Sequence, residues 1–143
     1  PLLCSAVRGH AARGWVTAYR ALFVAAQVAP GDTVLVEGTG GVSLYALQLS
    51  KAVGARVVLT SKSAAKRERA RALGADHVLD YTAEPKWGEA ARAWTGGRGV
   101  DVAVEVGGQG TFDQAAAALR FGGTLSVIGG LTGPDLADAA TRG

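Results

Sequence analysis

The sequence predicts a three-layer α/β domain built on a doubly wound parallel sheet. Three observations predict it: short β-branched runs without polar alternation, helical apolar periodicity between them, and glycines at the joints. Strands buried on both faces read as continuous apolar runs, and the helices that connect parallel strands must cover both faces. Right-handed crossovers leave few topologies, and the strand order 3-2-1-4-5 is expected. In that order the sheet changes winding direction between strands one and four, which opens a crevice beside Gly38 and Gly107.

Each element has its own signal. Residues 1–14 show no period and are expected to be irregular. From Trp15 to Val28 the spacing of Trp15, Tyr19, Leu22, Phe23 and Ala26 predicts a helix, closed by Pro30 and Gly31. TVLVE, from Thr33 to Glu37, is a buried-type strand that ends at the Gly38 to Gly41 turn. Val42, Tyr45, Ala46, Leu49 and Val53 share one face of the next helix, and Gly54 stops it.

The theme then repeats. Arg56 to Thr60 predicts strand two, Ala64 to Leu73 a helix rich in Ala, Arg and Lys with Gly74 as its stop, and Asp76 to Leu79 a third strand. Glu84 to Trp94 predicts a helix that tolerates Pro85 in its first turn, followed by a loop at Gly96, Gly97 and Gly99. DVAVEV is strand four. Phe112, Ala115, Ala116 and Leu119 mark the last helix, and Gly122 and Gly123 turn the chain into strand five, Thr124 to Ile128. The domain is expected over residues 15–133, with 134–143 a frayed tail beside an exposed sheet edge.

Composition narrows the function classes. With 48% apolar and 19% charged residues and no charge block, the 143-residue chain is expected to fold as one soluble globule. A net charge of +3 is too small and dispersed for a nucleic-acid surface, and the local group Lys62, Lys66, Arg67, Arg69 and Arg71 suits an exposed helix and its approach. Cys4 is the single cysteine, and His10 and His77 lie far apart, so no metal cluster is expected. No run resembles a signal peptide or reaches the roughly 20 apolar residues of a membrane span, so the expected setting is the cytoplasm, without a membrane partner.

The chemistry concentrates at EGTGGVS. Gly38 supplies a tight turn, Gly40 removes the side chain where a pyrophosphate would press on the backbone, and Gly41 frees the first helical turn. Amides opening the following helix would then face the phosphates, with Thr39 and Val42 in the same turn. Ser43 stands where the usual GxGxxG pattern has its third glycine, a modest widening of the helix and strand contact.

A site that prefers NAD carries an acid about 20 residues on, at the end of strand two. Here Ser61 stands near that place, with Lys62, Lys66 and Arg67 close in sequence, which favours a 2'-phosphate and hence NADP(H) over NAD(H). An S-adenosylmethionine-dependent methyltransferase is an alternative suggested by Glu37 before Gly38, although it too would want an acid at Ser61. A non-catalytic dinucleotide sensor is another.

The run GDTVLVEGTGGVSLYALQLSKAVGARVV, followed by LGADHVLDY, GGRGVDVAVEVGG and LRFGGTLSVIGGLTG, resembles the medium-chain dehydrogenase/reductase superfamily. The likeness runs from about Gly14 to Gly133 and is nearest to the zinc-type alcohol dehydrogenase and quinone oxidoreductase branches. It implies a Rossmann nucleotide-binding domain and, with a catalytic domain expected elsewhere in a longer protein, hydride transfer with an alcohol, carbonyl or quinone. It also implies that Gly38, Gly40, Gly41 and Val42 contact the pyrophosphate, that Ser61, Lys62 and Lys66 meet the adenosine ribose, and that Tyr81 lies near the adenosine end. Gly107, Gly108, Ile128 and Gly129 match the turns along the nicotinamide half.

By resemblance alone Cys4 is a zinc-ligand candidate. The stretch VRGHAARG departs from the family pattern there, so a small apolar role is preferred and zinc is not expected in this chain. The resemblance also implies a sixth strand that often pairs subunits in a full-length homo-oligomer. No residue stands out as a catalytic acid, so the chain is read as the cofactor-binding part of an oxidoreductase, inactive alone.

Overall fold

The structure, a computed structural model, describes residues 10–128. Helix α1 spans His10–Tyr19 and continues as a π-helical stretch, Arg20–Ala25. There follow β1 (Thr33–Glu37), α2 (Gly41–Val53), β2 (Arg56–Thr60), α3 (Ala64–Ala72), β3 (His77–Leu79), α4 (Trp87–Trp94), β4 (Val100–Glu105), α5 (Gln109–Ala118) and β5 (Leu119–Val127). The five strands form one parallel sheet in the order β3-β2-β1-β4-β5, as the sequence pattern predicts.

Alternation along the central strands divides the core between the two faces. Val34, Val36, Val57, Leu59, Val102 and Val104 pack with Leu22, Ala46, Leu47 and Ala70 on one side. Leu35, Val58 and Ala103 pack with Trp87, Ala91, Ala115 and Ala118 on the other. Because every residue of β1 and β4 is buried, both strands are fixed in register from two sides.

Several element boundaries differ from the sequence reading, most by a single residue and a few by more. Helix α1 begins at His10, inside the segment expected to be irregular, where Ala11, Ala12 and Arg13 are all good helix formers. The later part of the Trp15 to Val28 pattern is π-helical, and Gln27 takes a positive φ of 51° just beyond it. Helix α4 starts at Trp87, not Glu84, because the residue before Pro85 is biased away from helical geometry. Asp80 instead organises this stretch as a turn, accepting from the Thr82 N–H at 2.9 Å and the Thr82 hydroxyl at 2.6 Å.

At the far edge, α5 ends at Ala118 and Leu119 already belongs to β5. The buried face of α5 is Ala115 and Ala118, whereas Phe112 and Ala116 face outward. Leu119 pairs with Val100 and Thr124 with Val102, so residues 120–123 loop out of the ladder and leave Phe121 fully exposed. Gly122 and Gly123 are therefore a bulge within a strand, not a turn before one.

Asp101 fastens the sheet opposite the crevice. Only 4% exposed, it accepts from the Thr33 N–H at 2.8 Å, from Arg98 at 2.9 Å and from Arg120 at 2.6 Å, joining β1, the approach to β4, and β5. Burial opposes its ionisation, but the bonds from Arg98, the Thr33 N–H and Arg120 outweigh burial and hold its pKa below the ordinary carboxylate value. That stabilisation is present above the ordinary value of 3.8 and fades as pH falls through the lower folded-state value. Asp101→Ala should cost about 2 kcal/mol at neutral pH, because it leaves a buried N–H without an acceptor. An unchanged urea midpoint would remove this role.

Candidate functional site

The site begins where β1 stops. Gly38 takes a φ of +71°, a conformation that favours glycine, and its N–H donates to the Thr60 carbonyl at 2.7 Å, so the turn stays tied to β2. Gly40 is the N-cap of α2 and no side chain caps that helix, so the first-turn amides point outward without an intrahelical acceptor. A Cβ built at Gly38, Gly40 or Gly41 would meet nothing within 4 Å. The space over the turn is open, as a cradle for a diphosphate must be.

Ser43 has a positive role that the glycine pattern does not suggest. Its hydroxyl donates to the Glu37 carbonyl at 2.6 Å and stitches the first turn of α2 to the end of β1. A third glycine would allow closer packing but could not make that bond.

The β2 end supplies the second part. Ser61 is buried, its N–H donates to the Leu79 carbonyl at 3.0 Å, and its hydroxyl accepts from the Ser63 N–H at 3.3 Å. Ser63 in turn caps α3 through the Lys66 N–H. Arg67 is engaged elsewhere: it donates to the Ser61 carbonyl at 2.8 Å and pairs with Asp80 at 3.2 Å. The basic residue that sequence proximity would lend to a phosphate therefore holds the turn in place, while Lys62 and Lys66 remain exposed.

A recess of about 230 Å³ brings Gly38, Thr39, Gly40, Ser61, Lys62, Lys66 and Tyr81 together. Beside it, sharing Gly38 and Tyr81, lies a cleft of about 420 Å³ that continues over Thr60, Trp87, Gly107 and Thr111. Gly41 and Val42 open α2 next to the recess. Gly107 sits so close to α5 that a Cβ would collide with the Thr111 hydroxyl. Gly108 is the N-cap of α5. Ile128 is not brought into this crevice: it lines a separate groove between the π-helical stretch and β5. Gly129 and Cys4 lie outside the described residues.

Sequence reasoning missed Glu105 and took Glu37 only as a pointer to the methyltransferase alternative. Glu37 and Glu105 end β1 and β4, are 4% and 0% exposed, and lie one step beyond the Val36 and Val104 pair of the parallel ladder. Glu37 accepts from the N–H groups of Val106 and Gly107 at 3.2 and 3.3 Å, and Glu105 accepts from the Gly108 N–H at 2.7 Å and from the Thr111 hydroxyl. Burial, then the hydrogen bond and the charge of Glu105, push the Glu37 carboxyl up to about 9 against the two N–H groups that favour its ionised form. The available signal was the like placement of the acids in TVLVEG and DVAVEVGG, each the last residue of a buried-type strand.

A doubly wound parallel sheet with an open glycine turn at its switch point defines a dinucleotide-binding domain. The chain belongs to the zinc-binding dehydrogenase family, whose pattern it matches over residues 41–141, and corresponds to the NAD(P)-binding domain of these oxidoreductases. It is 47% identical over 116 residues to a zinc-type alcohol dehydrogenase-like protein of Schizosaccharomyces pombe, covering 80% of this chain and 34% of that protein. It superposes on an NAD-dependent alcohol dehydrogenase with a TM-score of 0.77 at 36% identity, covering 90% of this chain and 39% of the other. A mycobacterial protein solved in complex with NADPH gives 0.76 at 37% identity, covering 92% and 42%.

The chain thus spans about a third of the length of the Schizosaccharomyces pombe protein. Family membership sets aside the methyltransferase alternative. Among the described residues no group of three or more His, Cys, Asp or Glu could hold a metal ion, so no step is assigned to zinc here. No helix among them is long and apolar enough to cross a membrane.

Gly40 separates folding from binding. Its backbone is extended, with φ −71° and ψ −179°, and the space beside it is empty, so Gly40→Val should change stability by less than about 1 kcal/mol. The same isopropyl group would occupy the diphosphate cradle, and affinity for a dinucleotide should fall at least about tenfold. Equal calorimetric affinity of parent and variant would displace the diphosphate from this turn.

Proposed function

We propose that this domain binds NADP(H) in preference to NAD(H), serving an oxidoreductase that transfers hydride between the nicotinamide and an alcohol, carbonyl or quinone. The observation that carries the cofactor preference is the lining of the smaller recess: Ser61, Lys62 and Lys66 surround it, and no carboxylate does. A 2'-phosphate gains from a hydroxyl and ammonium groups where a carboxylate would repel it. Asp80, next to Tyr81 in the chain, is turned to Arg67 and the Thr82 turn.

The open space over the glycine turn and the recess beside it support this reading. Gly38, Thr39, Gly40, Gly41 and Val42 would receive the diphosphate, Ser61, Lys62 and Lys66 the adenosine ribose phosphate, and Tyr81 the adenosine end. Gly107 and Gly108 would border the path toward the nicotinamide. The bound cofactor would supply the hydride chemistry, and the chain supplies binding, orientation and charge. The names of the relatives, an alcohol dehydrogenase-like protein and an alcohol dehydrogenase, support the substrate class of the whole protein. Ile128 and Gly129 are retained as contacts of the nicotinamide half on family likeness alone.

Calorimetric titration of the chain with NADPH and NADH at matched ionic strength tests the reading. Tighter binding of NADPH is expected, and equal or reversed affinities would overturn the preference. Ser61→Asp gives the sharper measurement. The new carboxylate can still accept from the Ser63 N–H and can receive ribose hydroxyls, but it faces a doubly charged phosphate in NADPH. The NADPH to NADH affinity ratio should fall about tenfold, equivalent to roughly 1–2 kcal/mol across a salt-screened site. An unchanged ratio would show that residue 61 does not face the 2'-position.

A further inference from the structure

We propose that Glu37 and Glu105 share a single proton, and that this bridged pair positions the Val106 to Gly108 turn as the wall of the dinucleotide crevice. Donors and acceptors of the described residues around the two carboxyl groups do not balance. One oxygen of Glu37, Oε2, takes the N–H groups of Val106 and Gly107. One oxygen of Glu105, Oε1, takes the Gly108 N–H and the Thr111 hydroxyl. The two remaining oxygens, Glu37 Oε1 and Glu105 Oε2, are buried and have no donor from any other group among the described residues.

Neighbouring strands set these carboxyl groups side by side, so both oxygens would be left unsatisfied if both acids were ionised. One proton on Glu37, donated to Glu105, satisfies both at once. Among the described residues the surroundings offer no cation to do it instead. Thr60 lies across the β1–β2 ladder, Val127 across the β4–β5 ladder, Thr111 comes from α5 and Ser43 from α2, and the charge acting on Glu37 comes from Glu105.

Three consecutive backbone N–H groups, those of residues 106, 107 and 108, end on this pair. Glu37, Gly107 and Thr111 also line the larger cleft, so the turn that the pair fixes is the surface a ligand would meet. Loss of the proton would place two negative charges side by side and release the turn. Glu37 and Glu105 are thus positioning residues for the cofactor, a role that rests on the dinucleotide reading of the crevice. The shared proton does not depend on that reading. Folding takes up a proton at Glu37: the stabilisation is complete below the ordinary value of 4.5 and is lost as pH rises through the folded value of about 9.

The test combines two readouts on the whole chain, from neutral pH to beyond that value. Amide resonances of Val106, Gly107 and Gly108 should titrate with a midpoint near 9 without cofactor, and NADPH affinity should fall at least about tenfold over the same range. In Glu37→Gln the amide oxygen keeps the two N–H groups, its NH₂ donates to Glu105, and both responses near 9 should vanish. Glu105→Gln, whose NH₂ donates to Glu37, should abolish them as well. Lys62 and Lys66 are common to all three proteins, so their deprotonation moves the binding curves alike. Wild-type amides that stay unmoved overturn the shared proton even if neither variant folds. Amides that titrate while affinity holds constant overturn the positioning role. Titrating amides with no NADPH binding at any pH overturn that role through the dinucleotide reading, and leave the proton bridge supported.

Discussion

Parallel pairing of β1 with β4 is the constraint on which the crevice depends. Val34, Leu35 and Val36 lie against Val102, Ala103 and Val104, so the two strands, distant in sequence, end at one edge of the sheet. Everything placed beyond those ends follows from that pairing: the Gly38 turn on one side, the Gly107 turn on the other, and the open space between. The strands have little freedom to slip, because a shift by one residue would drive core side chains to the wrong face on both sides of the sheet. Asp101 adds a polar lock by joining the Thr33 N–H of β1 to the basic groups around β4 and β5.

Opposite devices then hold the two walls of the site. At the β2 end, a fixed cation does the holding: Arg67 grips the Ser61 carbonyl and pairs with Asp80, leaving the two lysines exposed. At the β4 end, buried carboxyl groups gather backbone N–H groups inward. The first arrangement leaves a basic, open recess suited to an anion, and the second builds a wall whose own polar groups are satisfied internally. Such a wall presents little competing charge to a ligand in the larger cleft.

Most of the architecture is legible in the sequence because it depends on local periodicity. The buried-type runs TVLVE, RVVLT and DVAVEV, with helical spacing between them, are sufficient for the parallel sheet and its order. The recess is legible too, since Gly38, Gly40, Ser61 and Lys62 stand at fixed distances from strand ends. What escaped depends on contacts between segments far apart in the chain. The division of labour between Arg67 and the lysines turns on where Asp80 lies, and the acid pair exists only once β1 and β4 are neighbours. Ile128 lines a groove beside the π-helical stretch, and its N–H donates to the Glu105 carbonyl at 2.8 Å, neither of which a motif position alone foretells. The π-helical stretch has no sequence signal that we can identify.

Binding and choice of ligand are consequently separable in this domain. The diphosphate cradle is made of backbone: a glycine turn, the opening amides of α2, and a Ser43 bond that fixes the helix to the strand. On the proposed reading those groups would recognise charge and shape shared by both nicotinamide dinucleotides, and they are tied to the sheet that the core requires. Discrimination between them would then rest on side chains at the rim, of which Lys62 and Lys66 are exposed. Exposed ammonium groups are screened by solvent and salt, so each contributes a modest energy. A fold of this kind can change its cofactor at the rim without disturbing the interior that positions it.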